Sequence, residues 1–514
     1  MRQPPKTATF VDQQLVRKRR RLRPLTFLLA LLLVAFLFLI MIVISFGISA
    51  LRGGAESFRD DRQHFLHGSI GSETATGLPY EVWQALPALF PETFGEHGDY
   101  RAFGFLYAED EKGRSDLPIG ISRRTRMGIT QVWLNCAVCH TGTWRADEAA
   151  SPQIVAGMPS NNLDLHGFTD FLIGVAHSPK LAPGPLMAAI EETGGDLGWI
   201  DRLLWRAVVF PRVREALIQT NAAMRPLLDR QPHWGPGRVD TFNPYKVLNF
   251  GMAGSELSVE EVVGASDFPS IWLHGPREGM QLHWDGNNPS LKERNLSAAL
   301  GAGVTAETVD HERLNRVASW LRDLTPPPSP HRPDAAAVAR GAAVYASECE
   351  ACHGRQGAEG YEMTGAYLGK VEPWEDIGTD RARLDSYTQD FQQRQVTELF
   401  AGTEHAFREF RKTDGYANMP LDGLWLRGPY LHNGSVPTLY DLLNAPEERP
   451  VTFSRASDVV DGAKGGFVSP PCTEAAGGFC YDTRLPGNSN AGHVYGTGLS
   501  AAEKADLLAY LLTF

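Results

Sequence analysis

The chain has 514 residues, of which 51 are Gly and 34 Pro, and hydrophobic types still make up 43%. That is globular composition with many turns; it excludes disorder, coiled coil and collagen and leaves room for two or three domains. Net charge is −11; the first 24 residues carry eight Lys/Arg against Asp12, which leaves −18 for the rest. An acidic body argues against nucleic acid as a partner and for either a soluble partner with a basic face or solubility alone.

Residues 1–24 form a basic segment, and Leu25 to Leu51 follows without a charge. As a helix that stretch would be roughly 40 Å long, enough to cross a bilayer. Arg17 to Arg23 at its start predict an uncleaved anchor with the N-terminus in the cytoplasm and everything after Gly53 in the periplasm. A long signal peptide cut near Ala50 is the alternative.

Four of the six cysteines repeat one pattern: Cys136-Ala-Val-Cys139-His140 and Cys349-Glu-Ala-Cys352-His353. In C-x-x-C-H the two thiols reach the vinyl groups of one haem as thioethers, and the adjacent His becomes the proximal iron ligand. Zinc would need four ligands per site, and no second C-x-x-C stands near either motif. Two covalently bound haem c groups are therefore expected. Cys472 and Cys480 bracket a Gly-containing loop, as a structural disulfide or two free thiols.

Between the anchor and residue 325 the chain holds the first haem motif in an irregular sequence with dispersed Gly, Pro and Trp. Pro326-Pro-Pro-Ser-Pro-His-Arg-Pro333 cannot continue a helix and predicts an extended linker. Asp334 then caps an Ala-rich helix running toward Cys349. Near the end, Ser500 and Glu503 form a capping box before an amphipathic helix carrying Leu507, Leu508, Tyr510 and Leu511. A helix, C-x-x-C-H and a C-terminal helix is the layout of a class I cytochrome c domain, which residues 334–514 resemble with a long insertion. The expected fold is mainly α: an N-terminal haem domain (52–325), the linker (326–333) and the cytochrome c-like domain (334–514), after a single transmembrane helix (25–51).

Three further stretches resemble the dihaem cytochrome c peroxidase superfamily and, within it, the dihaem rubber oxygenases. They are Trp234-Gly-Pro-Gly-Arg-Val-Asp-Thr-Phe-Asn243; Gly275-Pro-Arg-Glu-Gly-Met-Gln-Leu-His-Trp-Asp-Gly-Asn287 with Ser290-Leu-Lys-Glu-Arg294; and Leu424-Trp-Leu-Arg-Gly-Pro-Tyr-Leu-His-Asn-Gly-Ser-Val-Pro-Thr-Leu439. The resemblance implies that Trp284 sits between the haems, where an oxidisable indole relays charge. His283 beside it has no assigned role.

For the far side of the second haem the candidates are Met419, His432 and His493. His493, six residues ahead of Leu499, occupies the region from which such domains take their distal ligand, and it is the expected one. The peroxidase pattern has Met there, so His resembles the rubber oxygenases; a second imidazole also lowers the potential. His432 is expected to bond a propionate or backbone, and Met419 to pack. For the first haem, His166, His177, His233, His274 and His283 show no diagnostic spacing from His140; the resemblance implies an iron left open or holding a displaceable small molecule. The expectation is an inner-membrane, periplasm-facing dihaem redox enzyme. Peroxide or dioxygen reacts at the first haem, and the second relays electrons from a soluble cytochrome or a membrane donor. A pure electron carrier with two six-coordinate irons is the alternative.

Overall fold

Asp334 starts one of the clearest helices. Its carboxylate accepts the Ala337 N–H, and the Ala-rich segment Ala335–Glu348 runs from there to Cys349. Ser500 and Glu503 close a reciprocal capping box at the start of Ala501–Leu511, the arrangement that S-x-x-E spacing favours. These two helices cross where residue 341 is glycine: a Cβ there would lie 1.9 Å from the Asp506 carbonyl oxygen, so the backbones touch. Around the crossing, Tyr345 and Tyr510 pack with ring centroids 5.2 Å apart, and Arg340 donates two 2.7 Å hydrogen bonds to Asp506. Leu424, Val436, Leu439, Leu507 and Phe514 complete this core, with Cys349 at its edge.

The computed structural model describes residues 26–37, 40, 53–473 and 478–514. Residues 55–123 and 131–514 form one unit, which holds both C-x-x-C-H motifs. In its N-terminal part, Tyr80–Leu89, Leu165–Gly174 and Pro183–Glu192 are helical. An aromatic cluster fills the space beside them: Trp83 stacks on Tyr100 at 3.9 Å, and Phe94, Phe103, Phe168 and Phe171 pack edge to face or tilted around that pair.

Short antiparallel strand pairs interrupt the helices. Thr141–Trp144 pairs with Gln153–Ala156, Thr141 opposite Ala156. Arg238–Asp240 pairs with Ala265–Asp267, Val371–Pro373 with Gly415–Ala417, and Thr452–Arg455 with Phe479–Asp482. The last strand carries Cys480, which is disulfide-bonded to Cys472. Residues 324–334 have no regular secondary structure, yet they are pinned: Ser329 Oγ donates to the Leu512 carbonyl at 2.5 Å and Trp425 Nε1 to the Pro327 carbonyl at 3.3 Å.

The expectation of a mainly α chain is corrected: the fold is mixed α/β. Most of the strands have four residues or fewer and are too short to show apolar alternation against Gly and Pro; the six-residue strands Ile121–Arg126 and Ile129–Leu134 lack a clean alternation, whereas capped helices announce themselves. The expected transmembrane helix is corrected as well. Among the described residues, no helix is long and apolar enough to cross a membrane. Residues 26–37 and 40 are helical; the rest of 25–51 and the basic segment 1–24 lie outside the described residues. A single-pass inner-membrane protein with a periplasmic body rested on that helix and is not supported.

Candidate functional site

The first motif is held by a turn. Asn135 accepts the Ala137 N–H through Oδ1 at 2.9 Å and donates through Nδ2 to the Gly68 carbonyl at 2.9 Å, which starts the tight turn Cys136–Val138. Cys136 and Cys139 are half-buried. His140 Nδ1 lies 2.9 Å from the Pro269 carbonyl. A carbonyl only accepts, so Nδ1 carries the proton and Nε2 presents a lone pair, the tautomer a metal-binding imidazole needs. Burial pushes the ring down to about 4, keeping it neutral at ordinary pH.

The second motif repeats this logic in a different local structure. Cys349 ends the Ala-rich helix and Glu350–His353 makes one further turn. His353 Nδ1 donates to the Met419 carbonyl at 2.8 Å. Facing it is His493, with ring centroids 6.3 Å apart. Two imidazoles bonded to one iron, at about 2 Å per metal–nitrogen bond, place their centroids about 6 Å apart.

His493 is aimed at some cost. Its φ is 47°, in the left-handed region, where non-glycine residues are strained and concentrate at functional sites. The strain is held in place from both sides: its N–H donates to the Ile377 carbonyl at 2.8 Å, and its carbonyl accepts from Arg449 at 3.2 Å. Burial, followed by the charge of His353, pushes His493 down to about 3.

The structure separates the three candidates for the far side of the second site. His432 is engaged elsewhere: its Nε2 pairs with the Tyr416 hydroxyl at 3.0 Å, the two rings stack at 4.0 Å, and its carbonyl accepts the Asp267 N–H. Met419 packs with Leu282 and Leu291, and its carbonyl serves His353. His493 is the candidate brought to face His353.

Trp284 touches the supports of both motifs. Its indole N–H donates to the Asp267 carbonyl at 2.8 Å, two residues before Pro269, while its ring packs in the cluster of Leu282, Leu291 and Met419. The backbone that orients His140 is thereby linked to the backbone that orients His353.

The remaining histidines divide. His166 and His233 stack on each other at 4.3 Å, and His177 ends a short turn. His274 is buried, its Nδ1 has no partner, and burial, followed by the charges of Arg294 and Arg277, holds it well below the usual imidazole range. His283 bonds through Nδ1 to Asn287 Oδ1 at 2.7 Å. Sequence reasoning missed the two carbonyl acceptors, which have no side-chain signature, and Arg294. Arg294 was in view only as the last residue of a matching stretch; it is buried, and burial lowers its guanidinium to about 9.

Among the described residues no three His, Cys, Asp or Glu side chains converge to hold a bare ion. What is present suits a planar group that brings its own equatorial ligands: two half-buried cysteine pairs, each followed by an Nδ1-anchored histidine. Around them are buried polar atoms without a partner, at Thr141 Oγ1, His274 Nδ1, Arg277 Nε, Arg294 Nε and His493 Nδ1. The residues fit haem c.

Residues 415–454 match the RoxA-like, cytochrome c-like family. The chain is 31% identical to the uncharacterized protein y4iM of Sinorhizobium fredii over 258 residues, 44% of this chain and 56% of that relative. It is 26% identical to the uncharacterized protein y4iJ of the same organism over 580 aligned positions, 89% of this chain and 92% of that one. The chain thus spans about half the length of the first of these relatives. The family match supports a relation to RoxA-like cytochromes c, and with it haem c binding; it lends nothing to membership of the dihaem peroxidase superfamily.

Proposed function

We propose that the chain is a dihaem c-type redox enzyme, with one haem on Cys136, Cys139 and His140 and a second on Cys349, Cys352 and His353 that His493 also ligates. When bound, haem c would supply a redox-active iron able to react with a small oxidant, peroxide or dioxygen. The protein's part is to orient and tune. The Pro269 and Met419 carbonyls each accept a hydrogen bond from the Nδ1–H of a histidine and so raise the basicity of its Nε2. Trp284 passes electrons between the two sites, and a redox partner, a soluble cytochrome or a membrane donor, supplies them.

The observation that carries this reading is the position of Trp284, bonded to the Asp267 carbonyl and packed on Met419. An indole between the supports of two histidines is of use for moving charge; a core tryptophan has no need of both. Purified protein should hold two covalent haems per chain, lowered by Cys136→Ala or Cys349→Ala, and carbon monoxide should bind one reduced iron of the two. Trp284→Phe should leave both spectra nearly unchanged and slow electron exchange between the haems. Two low-spin irons that refuse carbon monoxide would replace the enzyme reading with the electron carrier.

A further inference from the structure

Arg294 stands on the helix Leu291–Gly301, which Ser290 starts by accepting the Glu293 N–H. It is 9% exposed, and its Nε is buried without a partner. Asp285 exerts the largest favourable pull on its charge, but that carboxylate is already paired with Arg383 at 2.9 Å. The other oxygen of Asp285 makes no hydrogen bond either, so the buried guanidinium has no hydrogen-bonded counter-charge and favours an anion beside it.

His283 lies beside it. With Nδ1 donating to Asn287 Oδ1 at 2.7 Å, Nε2 is left with its lone pair. Its φ of 60° puts it, like His493, in the left-handed region. The ring lies 6.4 Å from Phe410, nearly parallel at 27°. Phe410 belongs to the cluster in which Leu296, Ala299 and Leu300 of the Arg294 helix meet Cys136 of the first haem motif. Arg294 is near enough for its charge to act on both His283 and His140.

We propose that His283 and Arg294 form a proton-transfer site beside the haem held by His140, and that its ligand is a small protic oxidant of the hydroperoxide class. This deepens, and rests on, the reading of His140 as a haem ligand. In the step, HOOH gives one proton to Nε2 of His283. The O–H bond breaks, its electron pair stays on oxygen, and the resulting negative charge faces the Arg294 guanidinium. No electron is exchanged. Dioxygen has no proton to give, so a fixed base next to an unpaired cation selects peroxide over dioxygen.

The test uses the full chain with both haems and two probes: cyanide, supplied as HCN and bound only after losing its proton, and carbon monoxide, which has none. A positioned base contributes on the order of 100-fold or more to proton transfer. His283→Gln and His283→Leu are therefore expected to slow cyanide association about 100-fold, with carbon monoxide binding unchanged. Arg294→Leu should weaken cyanide binding, and Arg294→Lys should restore part of it. If Arg294→Leu does not fold, the His283 pair decides alone. Unchanged cyanide association in His283→Gln, with two haems retained and carbon monoxide still binding, overturns the proposal and leaves the dihaem enzyme standing. A stable dioxygen adduct indifferent to His283→Gln overturns the choice of peroxide. A wild-type protein that binds neither probe removes the open first site itself.

Discussion

Gly341→Ala places a methyl group where the Asp506 carbonyl oxygen already is. The Cβ–oxygen separation would be 1.9 Å against a floor near 3.0 Å, leaving about 1.1 Å to be recovered in a close-packed interior. Asp506 is in mid-helix, so its oxygen cannot move alone; Ala501–Leu511 must shift as a body and carry Tyr510 off Tyr345 and Asp506 off Arg340. Overpacking of this kind costs about 1–3 kcal/mol, and a backbone collision belongs at the upper end. Replacing glycine in a helix by alanine returns about 1 kcal/mol. The net expectation is a loss of about 2 kcal/mol, only about 2 °C in Tm for a unit of this size, so urea unfolding is the more sensitive measure. The control is Gly184→Ala, on the helix Pro183–Glu192, where an added Cβ meets nothing within 4 Å and stability should be unchanged or slightly raised. Thermal and urea unfolding of both variants decide the matter. Equal stability of Gly341→Ala and wild type would refute the contact argument.

His493→Ala should convert the low-spin bis-histidine haem to high spin or to a substitute ligand, read by absorption and electron paramagnetic resonance; an unchanged low-spin signal would show that His493 does not bind iron. Asp422 accepts a hydrogen bond from Arg277 at 2.5 Å and lies in an ion pair with Arg427 at 2.9 Å. Asp422→Asn leaves two buried guanidinium groups without their counter-charge and should cost about 3–5 kcal/mol in urea unfolding. Burial holds His67 and His166 each down to about 4. The unfolded chain, with these groups near 6.5, therefore binds their protons first. Their contribution is constant above pH 7 and is lost as pH falls from about 6.5 to 4, by a few kcal/mol in all. His67→Leu should flatten that slope, whereas a urea midpoint level from pH 7 to 4.5 would contradict it.

Features whose cause lies within a few residues of their effect are legible in the sequence. Asp334 and Ser500 announce helices because the capping side chain sits three residues from the amide it satisfies. The C-x-x-C-H motifs carry their chemistry in one turn. The nearness of His493 to His353 is legible one step less directly, from its place ahead of the last helix. What stays hidden depends on long-range partners. Pro269 and Met419 act through backbone oxygens that any residue could supply. The strand pair Val371–Pro373 with Gly415–Ala417 joins segments about forty residues apart and is too short to show a period. Arg294 stands out only when its buried guanidinium is seen to have no carboxylate hydrogen-bonded to it, a property no spacing encodes.

The anchoring of the proline-rich stretch bears on kinetics. With Leu324 bonded to Leu273 on one side and Pro327 to Trp425 and Ser329 to Leu512 on the other, the stretch is a strut and not a hinge, and the gap between the two haem motifs is set once, at folding. Tunnelling slows exponentially with distance, so a protein joined by a swinging tether delivers electrons only as fast as its halves collide, and thickening the solvent slows it. If two haems are bound as proposed, electron exchange between them is expected to ignore solvent viscosity, with its rate limited by the fixed gap.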